Sequence, residues 1–230
     1  MVTVLVAMTI VPSAPLLVPA LAGNAAAEIA DLRDAALAAT ATLPARWIAL
    51  GVGSTDAVWA PESAGTFAGF GVDVAVGLSP QADRFTDLPL CALIAGWLRG
   101  EAQPAAHVHV HSFAATHTRT SALERGRALR TTIDADPEPV GILVVADGCH
   151  TLTPSAPGGH DPDSPAVQAL LDDALASGDT AALGGLPDSV VGRVPFAVLS
   201  GLAEPGPHEA VELYRGAPFG VGYAVATWAP

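Results

Sequence analysis

Lysine is absent from this chain; its ten basic residues are all arginine, set against 23 acidic ones, for a net charge of −13. That balance argues against a nucleic-acid partner or an anionic membrane surface, both of which need clustered positive charge. The lysine-free, Ala-, Gly-, Pro- and Arg-rich usage suggests a GC-rich genome, which is codon bias and not function. Cysteine is nearly missing too. Cys91 and Cys149 make no disulfide framework and no metal-knuckle spacing, as expected in a reducing cytosol. Cys149 stands beside His150, but adjacent side chains generally point apart and nothing nearby lowers a thiol pKa, so a nucleophile reading has little behind it. No long apolar run survives uninterrupted. Residues 1–22 are uncharged and end like a signal peptide in Pro19-Ala20-Leu21-Ala22, yet they lack a basic n-region, and Pro12, Pro15 and Pro19 break the stretch. The same prolines argue against a membrane-spanning helix. The reading is a buried first strand in a cytoplasmic protein. Also missing are a Walker loop, a Gly-x-Ser-x-Gly elbow and a His-Glu-x-x-His helix.

What is present is a core. Half of the 230 residues are hydrophobic and 14% are charged, enough for one large domain or two small ones. Strand-like runs fall at 2–11, 47–52, 72–78, 107–113, 140–145, 210–214 and 221–228. Helical patterns lie between them. Ile29, Leu32, Ala36 and Leu43 share a face over 24–43, and Leu90, Leu93, Ile94, Trp97 and Leu98 form an apolar stripe. Ser121-Ala122-Leu123-Glu124 has the capping-box pattern and predicts a helix to about Ile133. Ser164 as N-cap and Pro165 at the first helical position predict another, with Val167, Leu170, Leu171, Ala174 and Leu175 on one face. A weaker helix is expected over 194–202. The last two strands join through Arg215-Gly216-Ala217-Pro218 and predict antiparallel neighbours. The expected fold class is α/β: a single-domain three-layer α/β/α sandwich over 1–230, with a mixed central sheet and an antiparallel C-terminal strand pair.

The most informative stretch runs from Ala146 to Pro162, directly after the apolar run 140–145. Asp147 and His150 would sit at the C-terminal end of a strand, where open α/β folds place ligands. His150 can exchange a proton near neutral pH, and Asp147 could fix its tautomer or hold a cation. The alternative is that Asp147 caps a turn and His150 is a satisfied loop histidine. His107, His109 and His111 alternate with valines and would share one strand face, a spacing that suits a metal; a solvated face is the preferred reading, since no carboxylate is evident nearby. His117 lies just beyond and suits a cleft wall. Gly51-Val52-Gly53-Ser54 resembles half a dinucleotide loop without the third glycine. Asp161-Pro162-Asp163 has too few ligands for calcium and more simply starts the next helix.

Several of these segments, taken in order, resemble the class III extradiol ring-cleavage dioxygenases of the LigB-like superfamily, and within them the Memo-like branch. Ile10-Val11-Pro12-Ser13-Ala14-Pro15-Leu16-Leu17-Val18-Pro19 is similar to that branch's Pro-His-Pro-Pro-hydrophobic-Val-Pro opening. Ala146 to Pro162 resembles its Gly-Asp-Leu-Ser-His segment and the Pro-x-Ala-Pro-x-x-x-Asp-Pro after it. The stretch from Arg215 to Tyr223 looks like its Ala-Pro-Phe-Gly-Val-Gly-Tyr motif, and Gly65 to Gly71 its Phe-x-x-Phe-Gly stretch. The resemblance implies a non-haem Fe(II) oxidoreductase with two histidines and a glutamate on the metal and a further histidine as acid/base. The chain departs from it where the metal sits. Ser13 stands at the first histidine, Gly53-Ser54-Thr55-Asp56 where the second belongs, and Arg215-Gly216 where Memo-like proteins carry Tyr-Glu; Glu209 and Glu212 lie nearby. Only Asp147 and His150 keep their chemistry.

The expectation is therefore a divergent extradiol-dioxygenase-like protein with no metal ligands and no cofactor, Fe(II) entering only if the family activity is retained. It would bind a small polar or aromatic molecule in a cleft lined by Ser13, Thr55, Asp56 and His117, with Asp147 and His150 in catalytic roles. Two alternatives stand beside it: a working metalloenzyme with unorthodox ligands, and a non-catalytic protein that serves as an assembly partner. The family's habit of assembling adds a homo-oligomer to the expectations.

Overall fold

A computed structural model describes residues 4–230, so the first residues of the expected strand over 2–11 lie outside it. In chain order the strands are β1 (Leu5–Val11), β2 (Arg46–Gly53), β3 (Ala57–Trp59), β4 (Ser63–Thr66), β5 (Ala75–Gly77), β6 (Arg84–Phe85), β7 (His107–Ala114), β8 (Val140–Val145), β9 (Glu209–Gly216) and β10 (Tyr223–Ala229). The helices are α1 (Pro19–Ala22), α2 (Ala30–Thr40), α3 (Leu90–Ala102), α4 (Arg119–Asp134), α5 (Ser164–Ser177), α6 (Thr180–Leu183) and α7 (Arg193–Ala203).

Seven strands form the central sheet in the order β3-β7-β2-β8-β1-β10-β9. β7, β2, β8 and β1 run parallel, β3 and β10 pair antiparallel at the flanks, and β9 pairs antiparallel with β10. The mixed sheet and its antiparallel C-terminal pair match the expected α/β class. β8 shows why the layers form. All six of its residues are buried, Leu143 and Val145 toward one cluster and Ile142 and Val144 toward the other. The first cluster is closed by α2 and α3 through Leu32, Ala36, Leu93, Ile94 and Leu98. The second is closed by α4 to α7 through Ala122, Leu171, Leu183, Phe196 and Val198. α4 and α7 meet backbone to backbone: a Cβ on Gly126 would lie 2.1 Å from the Val198 carbonyl, and one on Gly201 2.2 Å from that of Leu123.

Four local expectations need correction. α4 starts earlier than the capping box implied, because the Thr118 hydroxyl accepts the Ser121 N–H and caps the helix three residues upstream. Ser164 is the first residue of α5 and not its cap, which is Asp163. The segment 72–78 contributes only β5, in a separate three-stranded sheet of order β5-β4-β6, because Gly71 at φ 101° turns the chain out of line just before it. The pattern over 24–43 divides into a 3-10 turn at Gly23–Ala26 and α2. No helix among the described residues is long and apolar enough to cross a membrane.

Candidate functional site

The parallel strands bring the ends of β1, β2, β7 and β8 to one edge of the sheet. Chains leaving β1 and β2 go to the α2/α3 face, whereas the chain leaving β8 goes to α5 on the other. The chain leaving β7 crosses to that same face, into α4, so neighbouring connections part on both sides of β2 and again at β8, and the end of β8 is one of the positions at which open α/β sheets carry ligands. Asp147 occupies it. The Ser13 N–H donates to Asp147 Oδ1 at 2.8 Å, tying the exit of β1 to that of β8. The flanking backbone is pinned on both sides: Gly148 N–H donates to Gly222 O, Gly222 N–H to Cys149 O, and Gly192 N–H to Asp147 O. The residue is half-buried, and desolvation is the main influence on its carboxyl, pushing the Asp147 pKa up to about 7 against the opposing Ser13 hydrogen bond.

Tyr223, at the start of β10, belongs to this neighbourhood. The β1–β10 register pairs Ile10 with Ala226 and, carried onward, sets Ser13 opposite Tyr223. Burial first, and the Asp147 charge second, hold its phenol well above the ordinary range, so it is a neutral hydroxyl at physiological pH. Reading the sequence did not single Tyr223 out as a site residue. Its signal was the closing position of the 215–223 motif.

His150 sits apart from the carboxylate. Its Nδ1 is buried and has no hydrogen-bond partner, so Asp147 does not set its tautomer. The loop that follows turns back over the ring: Leu152 bridges to His160, the Gly158 N–H donates to His150 O, and a Cβ on Gly158 would lie 2.5 Å from His150 Cδ2. The loop leans in turn on Gly220, whose preceding residue Phe219 holds a left-handed backbone at φ 60°, an uncommon conformation for a bulky side chain.

Asp56 and His117 form a second group. The Asp56 carboxylate accepts from the Ala114 N–H at 2.9 Å and from His117 Nε2 at 2.7 Å, and pairs with Arg125 at 2.6 Å. The Ala114 hydrogen bond, then His117 and Arg125, hold its pKa below the usual carboxylate value. His117 Nδ1 meets Ser121 Oγ at 3.1 Å, and Arg193 donates to the carbonyls of His117 and Ala115. Thr55 lines a third place, a cavity of about 240 Å³ shared with Gly53, Ser54, Trp59, Asp87 and Ser112; the buried Trp59 indole N–H has no partner. Of the residues expected in one cleft, Ser13 and Asp147 meet, Asp56 and His117 meet, and His150 and Thr55 lie in separate surroundings.

The donor set does not fit the 2-His-1-carboxylate arrangement that the family resemblance implies. Among the described residues no three His, Cys, Asp or Glu side chains converge. Asp56 is already engaged by three donors, and Ser13 meets Asp147 through its backbone N–H. His107 and His109 are exposed on β7 and His111 is half-buried, all on the α4 side with Phe113. Cys149 is buried, and burial raises its thiol pKa, which makes it a poor nucleophile.

No family model and no curated protein matches this chain. Among solved structures it is similar to the uncharacterised protein JW3007 of Escherichia coli K12, with a TM-score of 0.58, 12% identity, and an alignment covering 98% of this chain and 100% of that one. At that identity the likeness is one of fold.

Proposed function

We propose that this is a divergent extradiol-dioxygenase-like protein of the cytoplasm that binds a small polar or aromatic hydroxyl compound at the β8 end of its sheet, without the family's Fe(II) triad. The observation that supports the reading is Asp147: a carboxyl at a point where the loops part, hydrogen-bonded on one oxygen by Ser13, with a pKa of about 7. Such a group is present in both protonation states at neutral pH. As the acid it donates to a ligand oxygen; as the carboxylate it accepts a phenolic O–H. Tyr223 stays protonated and supplies a fixed neutral hydroxyl beside it. In this reading His150 is the acid/base, since no protein group engages its Nδ1. Both groups then need to come within roughly 2.6–3.2 Å of one ligand.

Calorimetric titration with catechol tests this, using the wild type, Asp147→Asn and His150→Ala, alongside metal analysis after anaerobic Fe(II) loading. The reading expects catechol binding that weakens in both variants and no stoichiometric iron. Stoichiometric iron held by side chains, with oxygen uptake lost in His150→Ala, would show a working dioxygenase instead.

A further inference from the structure

At the other end of the sheet lies a charge without a counter-charge. Arg99, near the C-terminus of α3, is only 9% exposed. Its Nε donates to Gly77 O at 2.7 Å and its Nη1 to Pro104 O, tying β5 to the loop that enters β7. A guanidinium has five N–H donors, and these two acceptors engage two of them. No carboxylate lies within ion-pair distance of Arg99 among the described residues, whereas Arg46, Arg125, Arg127, Arg130, Arg193 and Arg215 are all paired. Burial alone acts on its pKa, and lowers it. In a chain of net charge −13, acids were available to neutralise it, and a buried unpaired cation is costly.

Arg99 forms part of the wall of a surface cavity of about 300 Å³. The rest mixes polar backbone and Ser79 with apolar groups of Ala75, Val76, Pro104 and the aromatic ring of Phe85, which is 65% exposed. That volume corresponds to roughly ten waters at ~30 Å³ each. We propose that this cavity is a binding site for a small monocarboxylate with an apolar body, its carboxylate on the free N–H groups of Arg99 and its body against Phe85 and Val76. A planar guanidinium pairs with a carboxylate through parallel hydrogen bonds, and Phe85 and Val76 offer the apolar body a surface that a bare inorganic anion cannot use. The site stands at the entry to β7, at the opposite edge of the sheet from Asp147, and is independent of the reading given for that edge.

Benzoate and benzamide, titrated separately by calorimetry into the full-length protein, test the proposal. Benzoate is expected to bind and benzamide, the neutral isostere, not to. Arg99→Gln should weaken benzoate by roughly ten- to a hundredfold, the loss expected for hydrogen bonds to a charged group. Ala75→Trp, a change at an exposed position on the cavity wall, should weaken it comparably with Arg99 intact, and it decides the matter if Arg99→Gln does not fold. Asp147→Asn should leave benzoate affinity unchanged. No benzoate binding, equal binding of benzamide, or full affinity in Ala75→Trp would overturn the proposal; loss of binding in Asp147→Asn would overturn it by moving the carboxylate to the other edge.

Discussion

Replacing Asp147 by Asn should stabilise the protein, and increasingly so as pH rises. The folded carboxyl has a pKa of about 7 against an ordinary 3.8, so between those values the native state holds a proton that the unfolded chain releases. A raised carboxyl pKa means that stability is highest below the unfolded value and falls as pH climbs toward 7. A shift of about three units corresponds to about 4 kcal/mol at 1.36 kcal/mol per unit. Asparagine keeps the shape and the acceptor for the Ser13 N–H but carries no charge to desolvate. The variant's advantage in urea unfolding free energy should therefore be about 0.5 kcal/mol near pH 4, about 2 near pH 5, about 3 near pH 6 and about 4 near pH 8. Comparing variant with wild type at each pH cancels the titration of the other carboxylates. A gap that stays flat across this range, or a variant less stable at pH 8, would refute the desolvated-carboxyl argument.

Asp56 has the opposite sign. Its lowered pKa contributes stability above the unfolded value, lost as pH falls through the folded one; Asp56→Asn should cost about 1 kcal/mol at neutral pH, a modest figure because solvent screens this partly exposed group, and urea denaturation should show the deficit vanish in acid. Gly158→Ala forces a methyl into the His150 ring and should cost about 1–3 kcal/mol, with the ring's NMR signals shifted. Gly126→Ala sets a Cβ on the Val198 carbonyl between two backbones that cannot yield, and thermal melts should show a loss of about 3 kcal/mol or more. Iodoacetamide should label Cys149 slowly in native protein and rapidly in urea, because its buried thiol is held protonated.

The strongly patterned elements were legible in the amino-acid sequence. The runs at 107–113 and 140–145 match β7 and β8 to within a residue, and the Leu90–Leu98 stripe lies on α3, since deep burial leaves an unambiguous period. β3, β4 and β6 were not foreseen. They hold two to four residues each, too few to set up an alternating period, and owe their extended form to partners elsewhere in the chain. The site divides the same way. Asp147 was readable because it directly follows a buried strand. Engagement of Asp56 by His117 and Arg125 was not, since those residues lie more than sixty positions away and meet only because β2 and β7 are neighbours. Arg99 gave no signal at all: a lone arginine in a helix reads as solvated until the fold encloses it.

The Gln168 amide has a meaning for how this chain can change over generations. Its Oε1 accepts the Cys149 N–H, its Nε2 donates to Asp172, and a methyl on Gly148 or Gly222 would land 2.1 Å from Oε1. A side chain at either glycine would push the amide off its hydrogen bonds to Cys149 and Asp172, and a shorter residue at 168 would strand the Cys149 N–H. Drift at 148, 168 and 222 should thus be concerted, and any descendant that has altered one of the three should carry a matching alteration in another.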